Sequence, residues 1–287
     1  METIIFDGKA FSKQIDEQTQ KLTDRFQSIQ GRKPRLLIVD PANTEESMIY
    51  ARSKSKKGVK LGIETIILSL GGPSGDYEPL LELEKYILKD EPDGIFVERP
   101  LPSWLNQDSL ENTIPQYLDI EGTSSCMQGK NLNGNPHVIP ATAEAVLRII
   151  EYLGGRYGND VCIVSRTNTI GRPLAMALLN RNYTVTVCHS KTQNISKFTS
   201  SAGIVVSATG KPLWLGSEQI REGAAVIDVG IVQVGDKIVG DANREQLMGK
   251  AAFLTPVPGG VGPVTTSIIM ENLIRLCLDR IEDRFQT

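Results

Sequence analysis

The chain has 287 residues, 31 basic against 34 acidic side chains, a net charge of −3 and 40% hydrophobic residues. That balance is ordinary for a two-domain globular protein, and the interspersed signs leave no basic field for nucleic acid or an anionic membrane. Two histidines and four scattered cysteines argue against a zinc site, so no metal is expected. The N-terminus carries Glu2 and Asp7 rather than a signal pattern, and no apolar run of membrane length stands out, so the expected compartment is cytoplasmic.

Phe11, Ile15, Leu22 and Phe26 recur at helical spacing and predict a long amphipathic helix over 9–30. Arg35-Leu36-Leu37-Ile38-Val39-Asp40 reads as a buried strand that ends on an acid. A helix over 45–61, a strand over 64–68, a helix over 77–89 and a strand over 94–97 follow. This alternation predicts a parallel sheet covered by helices. From 106 to 135 the pattern weakens into loops and short helices. A bridging helix over 142–154 then opens a second series. Its predicted strands cover 160–164, 184–187, 203–206 and 225–228, with a helix over 173–180 after the first.

A strand over 252–254 leads into Thr255-Pro256-Val257-Pro258-Gly259-Gly260-Val261-Gly262-Pro263-Val264-Thr265, and a last helix covers 267–282. Prolines fix φ and withhold donors, while glycines permit positive φ and close approach. The segment is therefore not expected to continue a helix. It is read as a rigid wall for a flat ligand, although an isolated Pro/Gly loop is a turn first. The expected fold is α/β with two lobes and a cleft between them. An N-terminal catalytic domain spans 1–140, completed by the C-terminal helix over 267–287, and a Rossmann-like nucleotide domain spans 141–266.

The turn after the strand at 160–164 lies where a dinucleotide fold binds phosphate, and it offers Arg166, Thr167, Gly171, Arg172 and Pro173. Only Gly171 of the glycine pattern survives, so position counts for more than the letters. The next strand ends in Cys188-His189-Ser190-Lys191-Thr192, with none of the acid that would hold a ribose 2′-hydroxyl. His189, Ser190 and nearby Arg166 favour a 2′-phosphate, hence NADP; solvated surface charge is the competing account. Gly210 and Ile231 follow two further strands at the edge where ligands bind in open parallel sheets. In the first series, Tyr50 and Lys54 share a helix face, Glu98 ends a strand before Pro100 and Leu101, and Glu121 lies in an acidic loop. Each is a surface residue by default, but converging on a cleft they form an acid–base set.

These motifs occur together, in order, and the chain resembles the bifunctional methylenetetrahydrofolate dehydrogenase/cyclohydrolase family. The resemblance rests on residues 47–54, 93–102, 184–192, 226–231 and the segment over 255–265. It implies a homodimer of one-carbon metabolism, serving purine biosynthesis, that uses NADP and a tetrahydrofolate-type substrate. It further implies that 5,10-methylenetetrahydrofolate is oxidised to the methenyl cation, which water opens to 10-formyltetrahydrofolate. By carry-over, Tyr50 positions the folate, Lys54 is catalytic, Glu121 holds the pterin, and Gly262 and Pro263 border the folate site. Arg166 and Ser190 contact the 2′-phosphate.

Four departures from the family pattern stand out. Glu98 replaces the usual glutamine, and Tyr117-Leu118-Asp119-Ile120-Glu121-Gly122 replaces Asp-Lys-Asp-Val-Asp-Gly. Ala141 and Ala143 interrupt a Pro-Cys-Thr-Pro motif, and Ser165 stands for a glycine. A carboxylate ~4 Å from an ammonium gains roughly 4 kcal/mol at an effective dielectric of 20, so Glu98 is expected to alter the hydrolytic step. Three alternatives stay open: a dehydrogenase with weak or no cyclohydrolase, a two-lobe NADP-dependent dehydrogenase of shikimate type, and a binding module without turnover.

Overall fold

The structure is a computed structural model and describes residues 2–75, 78–235 and 237–284. Along the chain run β1 (Ile4–Ile5), α1 (Gly8–Gln30), β2 (Arg35–Asp40), α2 (Glu45–Lys60), β3 (Glu64–Ser69), α3 (Pro79–Asp90) and β4 (Gly94–Val97). Next come α4 (Gln107–Thr113), a 3-10 turn (Gln116–Leu118), α5 (Ser125–Leu132), α6 (Ala141–Leu153), β5 (Asp160–Val164), α7 (Gly171–Leu179) and β6 (Thr184–Cys188). The remainder holds α8 (Ile195–Thr199), β7 (Ile204–Ser207), β8 (Ala225–Asp228), the hairpin β9 (Val232–Val234) and β10 (Lys237–Val239), α9 (Arg244–Leu247), β11 (Phe253–Leu254) and α10 (Val261–Arg284).

The chain divides into two compact units, one of Met1–Lys13 with Gln128–Thr265, the other of Gln14–Met127 with Thr266–Thr287. The sequence-based boundaries differ at both ends, because β1 pairs in parallel with β11 and Asn131 of α5 bonds the Pro173 carbonyl in α7. Those residues therefore fall with the nucleotide-type unit. The expected start of α3 at Tyr77 lies outside the described residues, as do the last positions of the C-terminal helix.

In the unit of 14–127, β2 is central in a three-stranded parallel sheet of order β3-β2-β4. Its core joins Leu37, Val39, Leu83, Ile95, Val97 and Leu118. Helix α2 starts where it does because Thr44 and Ser47 cap it reciprocally, with Glu45 and Glu46 in its first turn and Lys57 and Lys60 in its last.

The other unit carries a six-stranded sheet, β1-β11-β8-β7-β5-β6, parallel throughout. The chain steps outward from β5 to β6 and then returns to β7 on the other side of β5. That reversal creates a switch point between β5 and β7, where open α/β sheets bind ligands at the strands' carboxyl ends. Cys162, Val164, Val205, Val226 and Leu254 form the core behind it.

One expectation needs correction. Helix α10 begins at Val261 rather than 267, so Val261–Thr265 is helical and only 255–260 is loop. Pro263 is tolerated because it sits in the first turn, where no intrahelical partner awaits its missing N–H. By length and composition this helix could cross a membrane, which the sequence reading did not anticipate. However, 72% of that stretch is buried within the protein, the mark of a core helix.

Candidate functional site

The first cluster forms at the carboxyl edge of the three-stranded sheet. Val39 and Val97 are register partners, and the Glu98 N–H donates to the Val39 carbonyl at 2.8 Å, which sets Glu98 beside the end of β2. Asp40, fully buried there, accepts from Ser47 Oγ at 2.9 Å and so fixes the start of α2 against β2. Two turns along α2, Lys54 Nζ donates to both Glu98 oxygens, at 2.8 and 2.9 Å. Its ammonium also lies over the rings of Phe96 (4.9 Å) and Tyr50 (5.8 Å), where ring quadrupoles attract a cation. The side chains of Lys54 and Glu98 are only 14% and 6% exposed, so this pair is desolvated rather than a solvated surface contact. Tyr50 remains 39% exposed, its ring free to lie against a ligand.

Burial raises the Glu98 carboxyl above the usual carboxylate range, although the charge and hydrogen bonds of Lys54 oppose the shift; the Asp40 charge adds to it. Desolvation therefore outweighs the ion pair, and Glu98 takes up a proton more readily than an ordinary glutamate. Glu121 is pushed further, to about 7, again by burial first, with the Arg99 cation opposing and Asp119 adding. It reaches this place because Ile95 bridges Asp119 and because Asp119 gathers the N–H groups of Glu121, Gly122, Thr123 and Ser124. The Lys54 charge is also felt at Glu121, so Tyr50, Lys54, Glu98 and Glu121 form one neighbourhood. Pro100 is exposed beside it, whereas Leu101 packs partly on the core.

The second cluster lies at the carboxyl edge of the six-stranded sheet. Val164 and Cys188 are register partners, so the turns that begin at Ser165 and His189 leave the sheet side by side. Gly171 lets α7 start tightly, since a Cβ there would collide with the Ser165 carbonyl. The helix start carries no side-chain cap. Arg166, Thr167 and Ser190 are exposed, whereas Arg172 is tied to Asn168 Oδ1 at 2.7 Å and Pro173 is buried. His189 serves its own turn: its N–H donates to Thr192 Oγ1 and its Nδ1 accepts from Lys191 N–H. Gly210, at φ +67°, lies in the loop after β7 on the other side of the switch point, and Ile231 is 59% exposed after β8. A dinucleotide fits this edge, because the turn approaches the helix start closely and no carboxylate follows β6 through residue 194.

Gly262 and Pro263 sit in the first turn of α10 and belong to the unit of the six-stranded sheet, while Lys54 belongs to the other. The three glycines of that segment differ in their reasons. Gly259 has φ +103°, a Cβ on Gly260 would crowd Pro256, and a Cβ on Gly262 would meet open space. The start of α1 presses on the same loop, since a Cβ on Gly8 would collide with the Gly260 carbonyl. Sequence reasoning missed Phe96, Asp40 and Asp241. An apolar strand residue carries no polar signal, and Asp241 lies in a loop whose partners are far away in the sequence.

Two models from one family match most of the chain: the tetrahydrofolate dehydrogenase/cyclohydrolase catalytic domain over residues 6–121 and the NAD(P)-binding domain of the same family over 140–280. The bifunctional protein FolD of Thermoplasma acidophilum is 42% identical over 246 residues, 85% of this chain and 88% of that protein. FolD of Caldanaerobacter subterraneus subsp. tengcongensis is 37% identical over 96% of both chains. Among solved structures, Trypanosoma brucei methylenetetrahydrofolate dehydrogenase-cyclohydrolase, complexed with NADP cofactor and inhibitor, has a TM-score of 0.90 at 30% identity, covering 98% of this chain and 99% of that one. Shikimate 5-dehydrogenase of Thermus thermophilus has a TM-score of 0.51 at 13% identity over 85% of this chain and 99% of that one, a likeness of fold alone. With both domain models matched in order and relatives covered almost end to end, the chain belongs to the tetrahydrofolate dehydrogenase/cyclohydrolase family.

Proposed function

We propose that the protein oxidises 5,10-methylenetetrahydrofolate to 5,10-methenyltetrahydrofolate with NADP+, and then hydrolyses that cation to 10-formyltetrahydrofolate. The observation that carries this reading is the desolvated Lys54–Glu98 pair beside Tyr50 and Glu121, in a chain that also builds a dinucleotide switch point. NADP+ bound at the switch point supplies the hydride acceptor, and the substrate's two folate nitrogens spread the resulting positive charge. That step needs orientation rather than a base. Tyr50 supplies a ring against the folate, Pro100 and Leu101 border it, and Glu121 accepts from pterin N–H groups. Hydrolysis asks for more. Water adds to the methenyl carbon and gives up one proton to solvent; the adduct's hydroxyl then loses its own proton as the carbon's bond to N5 breaks and the formyl C=O forms, and N5 takes up one proton. Lys54 is the group placed to manage those protons, and Glu98 sets how freely it does so.

Arg166 and Ser190 hold the 2′-phosphate, and the turn from Thr167 through Arg172 and Pro173 shapes the pyrophosphate site, with His189 fixing the adjoining turn. Gly210 and Ile231 line the switch-point side. The reading extends to a cytoplasmic homodimer that feeds one-carbon units to purine biosynthesis, as the family resemblance implies. The shikimate-type alternative loses its ground, since that likeness is of fold only.

The test is direct. Purified protein given 5,10-methylenetetrahydrofolate and NADP+ should generate NADPH absorbance, and binding without turnover would leave only a binding module. In the same assay Arg166→Ala should raise the KM for NADP+ by roughly tenfold, the worth of a charge-assisted bond, and leave that for NAD+ nearly unchanged. Equal effects on both would refute the phosphate assignment.

Glu121 adds a pH dependence. Its carboxyl sits at about 7, so it is the charged acceptor above that pH and the neutral acid below it. The KM for methylenetetrahydrofolate should therefore climb as pH falls through 7, approaching tenfold per unit at the limit. Glu121→Gln should flatten the profile, and a wild-type KM that stays level from pH 8 to 6 would remove Glu121 from substrate binding.

A further inference from the structure

Two buried carboxylates in the six-stranded unit have no part in the chemistry above. Asp228 ends β8, and Asp241 lies just past the hairpin that follows it. They are 2% and 0% exposed. Asp241 Oδ2 accepts from Ser207 Oγ (2.6 Å), Thr209 N–H (2.7 Å) and Thr209 Oγ1 (2.9 Å), and its Oδ1 accepts from Lys211 N–H at 3.0 Å. All four donors lie at the end of β7 and in the turn that follows, one wall of the switch point. Trp214 Nε1 reinforces the set by donating to Ser207 Oγ at 3.1 Å.

Asp228 in turn holds Asp241. Its Oδ1 accepts the N–H of Asp241 (3.0 Å) and of Gly230 (2.9 Å), and its Oδ2 accepts that of Ala242 at 2.8 Å. The glycines beside each acid make room for the other acid. A Cβ on Gly230 would collide with Asp241 Oδ1, and one on Gly240 with Asp228 Oδ2. Burying two carboxylates costs free energy unless their oxygens are satisfied, and here backbone N–H groups from two loops satisfy them. The arrangement costs more than a pair of apolar residues would, yet it fixes the loops after β7 and β8 in one geometry.

We propose that Asp241, seated on Asp228, is a positioning residue for the nucleotide: it sets the shape of the Thr209–Gly210–Lys211 turn against which the cofactor lies, without touching the cofactor itself. This rests on the NADP reading above. Among the described residues, no strand or helix backbone group bonds the backbone of Thr209, Gly210 or Lys211, so an untethered turn would have to be ordered at the moment of binding.

The test compares wild type, Asp241→Ala and Asp241→Asn by calorimetric titration with NADPH, alongside hydrolysis of methenyltetrahydrofolate measured without nucleotide. Asp241→Ala should weaken NADPH binding by about tenfold or more, with hydrolysis within about twofold of wild type. Asp241→Asn should fall between, since its carbonyl oxygen keeps the Oδ2 partners while its amide faces the Lys211 N–H. That graded rescue sets positioning apart from general damage, and the Asn variant still decides the matter if the Ala variant folds poorly. Tight wild-type binding with both variants unchanged overturns the positioning role alone. Binding and hydrolysis lost together in both variants also overturns it, in favour of a purely structural role. A wild-type protein that binds no NADPH overturns the cofactor reading and this proposal with it.

Discussion

Lys54→Met is expected to reduce hydrolysis of methenyltetrahydrofolate by at least about a hundredfold while folate affinity stays within a few-fold, because proton management in such steps is worth roughly that much. Methionine keeps the length of the side chain and its contact with the rings of Phe96 and Tyr50, so the wall presented to the substrate changes little. What disappears is the ammonium. Removing one partner of a buried pair commonly costs about 3–5 kcal/mol, because the other charge is stranded. Here the cost is softened, since burial already raises Glu98 and the stranded carboxyl can take up a proton. A Lys54→Met/Glu98→Gln double variant separates the two effects. It should recover thermal stability and remain without hydrolysis. Oxidation of methylenetetrahydrofolate should persist in both variants, as hydride loss needs no base. Decay of methenyl absorbance reads the first quantity and NADPH formation the second. Hydrolysis at the wild-type rate in Lys54→Met would take Lys54 out of the mechanism.

The strands of the two parallel sheets, β1 apart, were legible because each is a short apolar run bounded by turn residues; the β9–β10 hairpin was not. Those at 35–40 and 160–164 come out as predicted, while β6 gains one residue at its end and β7 starts and ends one residue later than expected. Strand β1 was not legible. Two residues, Ile4 and Ile5, have no period, and only pairing with β11 makes them a strand. The start of α10 was misread for a physical reason too. Gly262 and Pro263 look like breakers, but a first turn needs few of the N–H groups that proline lacks. At the Lys54–Glu98 cluster, the (i, i+4) spacing brought Tyr50 and Lys54 together on paper, and the strand end placed Glu98. The strength of the pair was not legible, because desolvation belongs to the fold and not to the letters. The Asp228–Asp241 arrangement is the clearest loss. Its donors come from residues 207–211, about thirty positions upstream of Asp241, and nothing local marks it.

Glu98→Gln is expected to speed hydrolysis several-fold relative to wild type, with oxidation changed by no more than about twofold. The reason lies in the geometry of the pair. Both Glu98 oxygens take N–H groups of Lys54, so two of the three ammonium donors are spent, and an ammonium so held has no lone pair with which to draw a proton from water. A glutamine of the same length offers one acceptor instead of two, and its amide N–H groups face the ammonium as like partners. Lys54 is then less tightly held and freer to exchange its proton with water or N5. The chain would also return to the residue its family usually carries at this place. A second signature should accompany the rate. Glu98 titrates above the ordinary carboxylate range, so the wild-type profile should carry an acid limb that Glu98→Gln lacks. The sign of the rate change decides between two mechanisms. If the glutamine variant is slower, Glu98 itself receives the water's proton, helped by the burial that raises it, and Lys54 serves as the donor to the departing nitrogen. If it is faster, the wild-type pair restrains its own lysine, and this protein hydrolyses less readily than its fold allows.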